Sequence, residues 1–323
     1  MDAATSETTS AVKDLPAPVT GQDIAPDGDM VLFVGREKAR LMLRVQFQCL
    51  RAASKVFGSM FGPNWSEGQV LSPNCPREVP LDDDNASAMH TICLVLHHHA
   101  EVPEVLTARE LATIAVASDK YDLAVALRHV STFWLKQDKS FGLVEMGHRL
   151  VAALLFNNST IFEGCTTDLI TYWNDSYQSL LDDDMTRQFI SFDAMYQLER
   201  RRIQMRLDLA DFLKTASIWR CPHDNKKCTW GQKRSDAYST LMAGLDGSRL
   251  LRSQISAIID DMEGATFEED LRQRTLCAGG YLTHGPLAAT ETFEAKLAAI
   301  KKRATLCMNC VRGGKHCGAQ HGC

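Results

Sequence analysis

The residues best suited to chemistry lie near the C-terminus. Cys307 and Cys310 form a C-x2-C pair, and Cys317 and His321 follow it, with His316 and Cys323 nearby. Upstream, Cys221-Pro-His223 and Cys228 sit in a polar link. Zinc takes four sulfur or nitrogen ligands in a tetrahedron, and a C-x2-C turn supplies two of them from one knuckle. Two sets meet that count. Cys221, His223, Cys307 and Cys310 would make a structural Cys3His site joining the end of a long helix to the C-terminus, and this set is the one expected. Cys307, Cys310, Cys317 and His321 would make a site from the tail alone. Metal-free thiols in an unstructured tail are the competing expectation. The tail has the wrong spacing for a nucleic-acid zinc knuckle and lacks aromatic residues on which bases could stack.

A second stretch invites an interface. In Met60–Gly68, "MFGPNWSEG", Trp65 follows a Gly-Pro turn and stands two residues before Glu67. An exposed Trp contributes a large rigid contact area, which suits a protein–protein anchor. The plainer alternative folds Trp65 back onto its own domain and leaves Glu67 solvated. No G-x-S-x-G, phosphate-cradling glycine loop, H-E-x-x-H or Cys/His nucleophile pair stands in the sequence, so no enzyme is expected.

Composition bounds the remaining classes. The chain has 323 residues, 45% of them hydrophobic and 23% charged, values of an ordinary globular protein with two domains. A formal net charge of −5 disfavours nucleic acid as a partner. No apolar run approaches membrane-spanning length. The first 22 residues have neither an apolar centre nor a cleavage signature and read as a polar tail rather than a signal peptide. The eleven cysteines are therefore expected as buried thiols or metal ligands of a cytoplasmic or nuclear protein, not as a disulfide framework.

The elements that must carry these residues follow from periodicity. Order is expected from Ile24. "DMVLFVG" (29–35) reads as a buried strand and "ARLMLRV" (39–45) as its partner. Leu50, Ala53, Phe57 and Phe61 predict one helix, stopped by Gly62-Pro63. "REVPLDD" (77–83) suits a third strand, after which Asp84 or Asn85 caps a helix burying Met89, Ile92, Cys93 and Leu96. Thr107 and Glu110 have capping-box spacing for a helix that buries Leu111, Ile114 and Ala115. That helix breaks near 119–122, and a segment with Leu123, Leu127, Val130 and Trp134 follows.

Beyond 138 strand signals stop, and helices are expected over 141–157, 160–182, 186–216, 235–246, 248–263 and 287–305. The "ERRR" of 199–202 and the "DDD" runs at 82–84 and 182–184 read as solvated charge, Cys49 and Cys93 as core, and His97–His99 as a helix C-terminal cap.

The first part of the chain resembles the BTB/POZ domain in the form common among fungal proteins. The resemblance runs from about Asp27 to Lys136 and rests on four stretches: "GDMVLFVG", "LRVQFQCLRAASKVFGSMFG", "EVPLDDDNASAMHTICLVLHHH" and "ASDKYDLAVALR" (117–128). The last, with its Ala-Asp-Lys-Tyr-like turn between two late helices, is the most specific. The fold class so implied is α+β: an N-terminal BTB/POZ domain, a small sheet with a flanking helical cluster, followed by an all-α C-terminal domain. The expected divisions are a disordered tail over 1–23, the BTB/POZ domain over 24–137, the helical domain over 138–306 and a Cys/His-rich tail over 307–323.

Gln46 and Phe47 stand where the family has His followed by a basic residue, so Asp29 lacks the basic partner of the family's charged groove. In BTB adaptors that recruit cullin scaffolds, the loop after the first long helix carries a hydrophobic-x-Glu motif, and Trp65-Ser66-Glu67 occupies that place. The resemblance thus implies a non-enzymatic adaptor that brings a substrate protein to a cullin-based ubiquitin ligase. The alternative is a self-associating scaffold or transcriptional regulator without a ligase role, and a homodimer is compatible with either.

Overall fold

A computed structural model describes residues 20–36, 40–60, 73–137, 142–216, 232–244, 247–264, 275–277, 283–284 and 289–313. The chain divides into two compact units, one of Met1–Val105 with Thr113–Ser131, the other of Leu106–Ala112 with Thr132–Cys323. It mixes helix with a small four-stranded sheet, an α+β composition.

The sheet belongs to the first unit. Its strands are β1 (Thr20–Asp23), β2 (Met30–Val34), β3 (Leu41–Val45) and β4 (Arg77–Leu81), in spatial order β1-β3-β2-β4. β2 is central, antiparallel to β3 and parallel to β4. It buries Met30, Val31, Leu32 and Val34, the near-continuous apolar run expected of a strand covered on both faces. β1 is a departure from the expectation that order begins at Ile24. It pairs in parallel with β3, Gly21 opposite Met42 and Gln22 opposite Leu43. Its sequence, Thr-Gly-Gln-Asp, has no apolar alternation, so backbone pairing at the sheet edge is what defines it.

The helix expected over Leu50–Phe61 is two helices, α1 (Phe47–Ala53) and α2 (Lys55–Met60). The break is Ser54, extended at φ −139° and ψ 126° and only 2% exposed. Asp29 finds a backbone partner instead of a basic one: its Oδ1 accepts the Phe47 N–H at 2.8 Å, at the start of α1. α3 (Ala86–Leu96) starts on Asn85, whose Oδ1 accepts the Ala88 N–H at 2.9 Å. It buries Met89, Ile92 and Cys93, while Leu96 is half-buried. α4 (Ala108–Lys120) carries the capping box, with Thr107 N–H donating to Glu110 Oε2 at 2.8 Å and Glu110 N–H to Thr107 Oγ1 at 3.2 Å. α5 (Arg128–Lys136) follows. Cys93 is core, whereas Cys49 is half-buried.

The second unit packs α6 (Leu143–Leu155) against α7 (Ser159–Tyr172), followed by the short α8 (Gln178–Asp182) and α9 (Asp184–Phe189). α10 (Phe192–Ala216) contacts α7 and α11 (Gln232–Gly244). α12 (Gly247–Arg252), α13 (Ile255–Gly264), α14 (Ala289–Lys302) and α15 (Met308–Val311) complete its described helices. The helices expected over 160–182, 186–216 and 248–263 are each interrupted, at 173–177, at Ile190-Ser191 and at Ser253-Gln254. Nor is the region purely helical: β5 (Thr275–Leu276) pairs antiparallel with β6 (Thr283–His284), two residues each, too short for any period to register in sequence.

Candidate functional site

Two polar networks adjoin the candidate residues in sequence, one in each unit. In the first unit the network centres on "ASDKY". Ser54 Oγ donates to the Tyr121 carbonyl at 2.5 Å and accepts the Phe57 N–H at 2.9 Å, which caps α2. The Tyr121 ring stacks on Phe57, with centroids 4.3 Å apart and planes 13° from parallel. Its hydroxyl donates to Asp84 Oδ2 at 2.6 Å, and Lys120 Nζ reaches Asp84 Oδ1 at 2.7 Å. Burial, then the Asp84 carboxylate, pushes the Tyr121 phenol well above its ordinary range, so it acts as a permanent donor.

Asp84 is therefore not solvated charge. Its side chain is 5% exposed and satisfied by two donors. The result is that the start of α2, and the turn before α3, are fixed to the end of α4. α2 ends at Met60, immediately before the segment that holds Trp65, Ser66 and Glu67; these three lie outside the described residues.

His97 provides a further tie in this unit. It is the C-cap of α3, and its Nδ1 lies 2.7 Å from the Cys93 carbonyl while Nε2 accepts the Gln46 N–H at 2.9 Å. Only the neutral ring with its proton on Nδ1 can do both. Burial lowers its pKa.

In the second unit the C-x2-C pair sits on a clamped turn. Cys307 is the N-cap of α15 and Cys310 its third residue, so the two side chains share one side of the turn. Cys307 is buried and Cys310 half-buried. The turn is fastened to α6 and α7 from both sides. Leu306 N–H donates to Thr166 Oγ1 at 3.0 Å and Thr305 Oγ1 to the Glu163 carbonyl at 3.2 Å. Arg312 donates to Asn157 Oδ1 at 2.7 Å and to the Leu154 carbonyl at the end of α6, which also accepts the Asn157 N–H at 3.1 Å. Two thiols on one side of a turn, one buried and one half-buried, are chemically fit to supply two zinc ligands. Cys221, His223, Cys317 and His321, the remaining members of the two ligand sets, lie outside the described residues. Among the described residues no group of three or more His, Cys, Asp or Glu is placed to hold a metal ion.

Burial pushes the Cys93 thiol up to about 12 and, as the leading cause, Cys165 up to about 11. Both stay protonated at neutral pH and are packing residues, not nucleophiles.

Reading charge runs as solvated missed the anchors of the second unit. Arg202, within "ERRR", is 6% exposed; it donates to the Trp173 carbonyl at 3.3 Å, to the Asp175 carbonyl at 2.5 Å and to Glu199, and lies 4.5 Å over the Tyr177 ring. Arg206, one turn on and 4% exposed, donates to the Leu250 carbonyl. These two guanidiniums bind α10 to the 173–177 turn and to α12, and the i, i+4 spacing of two arginines beside buried Leu198, Met205 and Leu209 was the only sequence signal for it.

Asp183 departs from the solvated reading in the same way. It caps α9, accepting the Thr186 N–H at 2.8 Å and Oγ1–H at 2.9 Å, and faces His148 Nε2 at 3.1 Å. Burial pulls its carboxyl pKa up, but the Thr186 and His148 hydrogen bonds outweigh that and leave it below the ordinary range. Gly147 makes this close approach of α6 and α9 feasible, since a Cβ there would stand 2.7 Å from Leu180 and 2.8 Å from Thr186 Oγ1.

Beside α10 a cavity of about 100 Å³ is lined by Arg200, Arg201, Asp208, Ile300 and Arg303, with Arg303 paired to Asp208 at 3.1 Å. Small-molecule sites run to roughly 300–1,000 Å³, so this is a surface notch rather than a substrate cleft. No helix among the described residues is long and apolar enough to cross a membrane. No family model matches the chain, and no curated protein matches its sequence.

Proposed function

We propose that the chain is a non-enzymatic protein–protein interaction module whose first unit is a BTB/POZ domain of the fungal type, and that it acts as an adaptor recruiting substrate proteins to a cullin-based ubiquitin ligase. The observation that carries the reading is the Ser54–Phe57–Tyr121–Asp84 network. Through it the most family-like stretch of the sequence, "ASDKY", ties down α2, the helix that precedes Trp65, Ser66 and Glu67 in sequence. An anchor residue is effective when its support is preorganised, because less ordering entropy is lost on binding. After the edge strand β1, the first unit runs through two paired strands, two helices, a strand, α3 and most of α4, an order in keeping with the same reading. In it, the second unit receives the substrate, and a zinc ion held by Cys221, His223, Cys307 and Cys310 staples that unit.

A self-associating scaffold or regulator is the second reading, favoured by the row of exposed apolar side chains on α10. Affinity purification of the tagged full chain followed by mass spectrometry separates the two. The adaptor reading requires a cullin among the recovered proteins; recovery of the chain with copies of itself and no cullin would replace it with the scaffold.

A further inference from the structure

α10 is apolar on two sides. One buries Ala194, Met195, Leu198, Met205, Leu209 and Leu213 and so fixes the orientation of the helix. On the solvent side Phe192, Tyr196, Ile203 and Leu207 are 73%, 57%, 49% and 56% exposed. Their spacings of four, seven and four residues place them along a single face. With about 200 Å² for a large side chain, the four expose roughly 450 Å², the size at which an apolar patch on a monomer is usually functional.

The order of the residues along this face is a palindrome. Phe192 and Leu207 are equidistant from the point between Glu199 and Arg200, and so are Tyr196 and Ile203. Two copies of α10 packed antiparallel about a two-fold axis at that point put Phe192 on the partner's Leu207 and Tyr196 on the partner's Ile203. Glu199 then faces the partner's Arg200, twice by symmetry. Arg200 is exposed, and Glu199, which gives Oε2 to Arg202, keeps a side chain 41% exposed. A parallel pair would oppose Arg200 to its own copy, so the charges select the antiparallel arrangement.

We infer that this face of α10 is a homodimer interface and that its occupant is α10 of a second copy, antiparallel and in the register just given. The inference does not rest on the BTB reading, since every residue in it belongs to the second unit. The two patches together cover roughly 900 Å² of apolar surface, below the ~1,200 Å² of standard stable complexes, so the dimer is expected to dissociate in the micromolar range.

The test is sedimentation equilibrium of the full chain up to about 200 µM, with thermal melts to verify folding. The wild type should show a monomer–dimer equilibrium. Tyr196→Lys and Ile203→Glu, both at exposed positions, should each weaken it at least tenfold. Combined, they should weaken it no further than either alone, because each new lysine meets the partner's new glutamate; independent losses would multiply to about a hundredfold. Arg200→Glu, which places two acidic pairs on the axis, should also weaken it and serves if either apolar position proves unable to fold. A wild type that stays monomeric, a dimer indifferent to the single variants, or a double variant with multiplied losses each overturns the inference. The first outcome would leave the face to another part of the same chain or to a different protein, the second would assign the dimer to another surface, and the third would rule out this register.

Discussion

Tyr121→Phe is the most informative single change to the first unit, because it removes one oxygen and little else. The lost bond is 2.6 Å long and ends on a carboxylate whose side chain is 5% exposed. Hydrogen bonds to charged groups contribute about 1.5–3 kcal/mol, and Asp84 keeps Lys120, so the cost should fall near 2 kcal/mol. The ring remains free to stack on Phe57, and Ser54 still reaches the Tyr121 backbone carbonyl. Tyr121→Ala removes the ring as well and should cost about 3–5 kcal/mol. Urea unfolding of the full chain, followed by circular dichroism, measures both. With an m-value that does not change, the Tyr121→Phe midpoint should drop clearly and the Tyr121→Ala midpoint about twice as far. A Tyr121→Phe midpoint equal to wild type would mean that the Asp84 bond contributes nothing, and the account of why this turn holds α2 would be wrong.

Other consequences are equally direct. Arg202→Met should cost about 2–3 kcal/mol by leaving two carbonyls and Glu199 without their guanidinium, whereas Arg200→Met should be within about 0.5 kcal/mol of neutral; equal melting temperatures for the two would refute the anchoring role. His97 is held neutral, with its pKa lowered by burial, so its contribution is present above the ordinary histidine value and is lost as pH falls below about 6.5. Urea midpoints at pH 7.5 and 5.5 should therefore differ more in wild type than in His97→Gln, and equal differences would remove His97 from the account. If zinc is bound, elemental analysis of the purified chain should find about one metal per chain, and Cys307→Ser should release it and lower the melting temperature. Metal-free wild type, or metal retained by Cys307→Ser, would leave the cysteine pair as packing alone.

How much was legible depended on whether a residue's partner was near in sequence. The Thr107–Glu110 capping box and the Asn85 cap could be read because donor and acceptor are three residues apart. β2 and β4 could be read because burial leaves a run or alternation of apolar residues. Ser54 could not: Leu50 and Phe57 are both buried, so helical periodicity continues across a break made by a partner 67 residues away. Asp84, Asp183 and Arg202 stand in charge runs that look solvated, and only tertiary partners distinguish a buried ion from an exposed one. β1 escaped because a polar edge strand is specified by backbone pairing that no side-chain pattern reports. Of the candidate sites, the knuckle of Cys307 and Cys310 has a described frame, whose threonine and arginine ties to α6 and α7 span 139 to 158 residues and have no local signature.

The central claim is that the first unit docks a cullin through the segment after α2. Its most direct test is the affinity of the purified full chain for the N-terminal region of a purified cullin, measured by interferometry alongside Trp65→Ala and Glu67→Ala. An anchor Trp that is buried only in the complex costs about 2 kcal/mol or more when cut to Ala, so Trp65→Ala should bind at least tenfold more weakly, with its melting temperature unchanged. Glu67→Ala should lose less, as a charge at a wet rim. Absence of measurable binding by the wild type would contradict the adaptor function, and wild-type affinity in both variants would take Trp65 and Glu67 out of the interface.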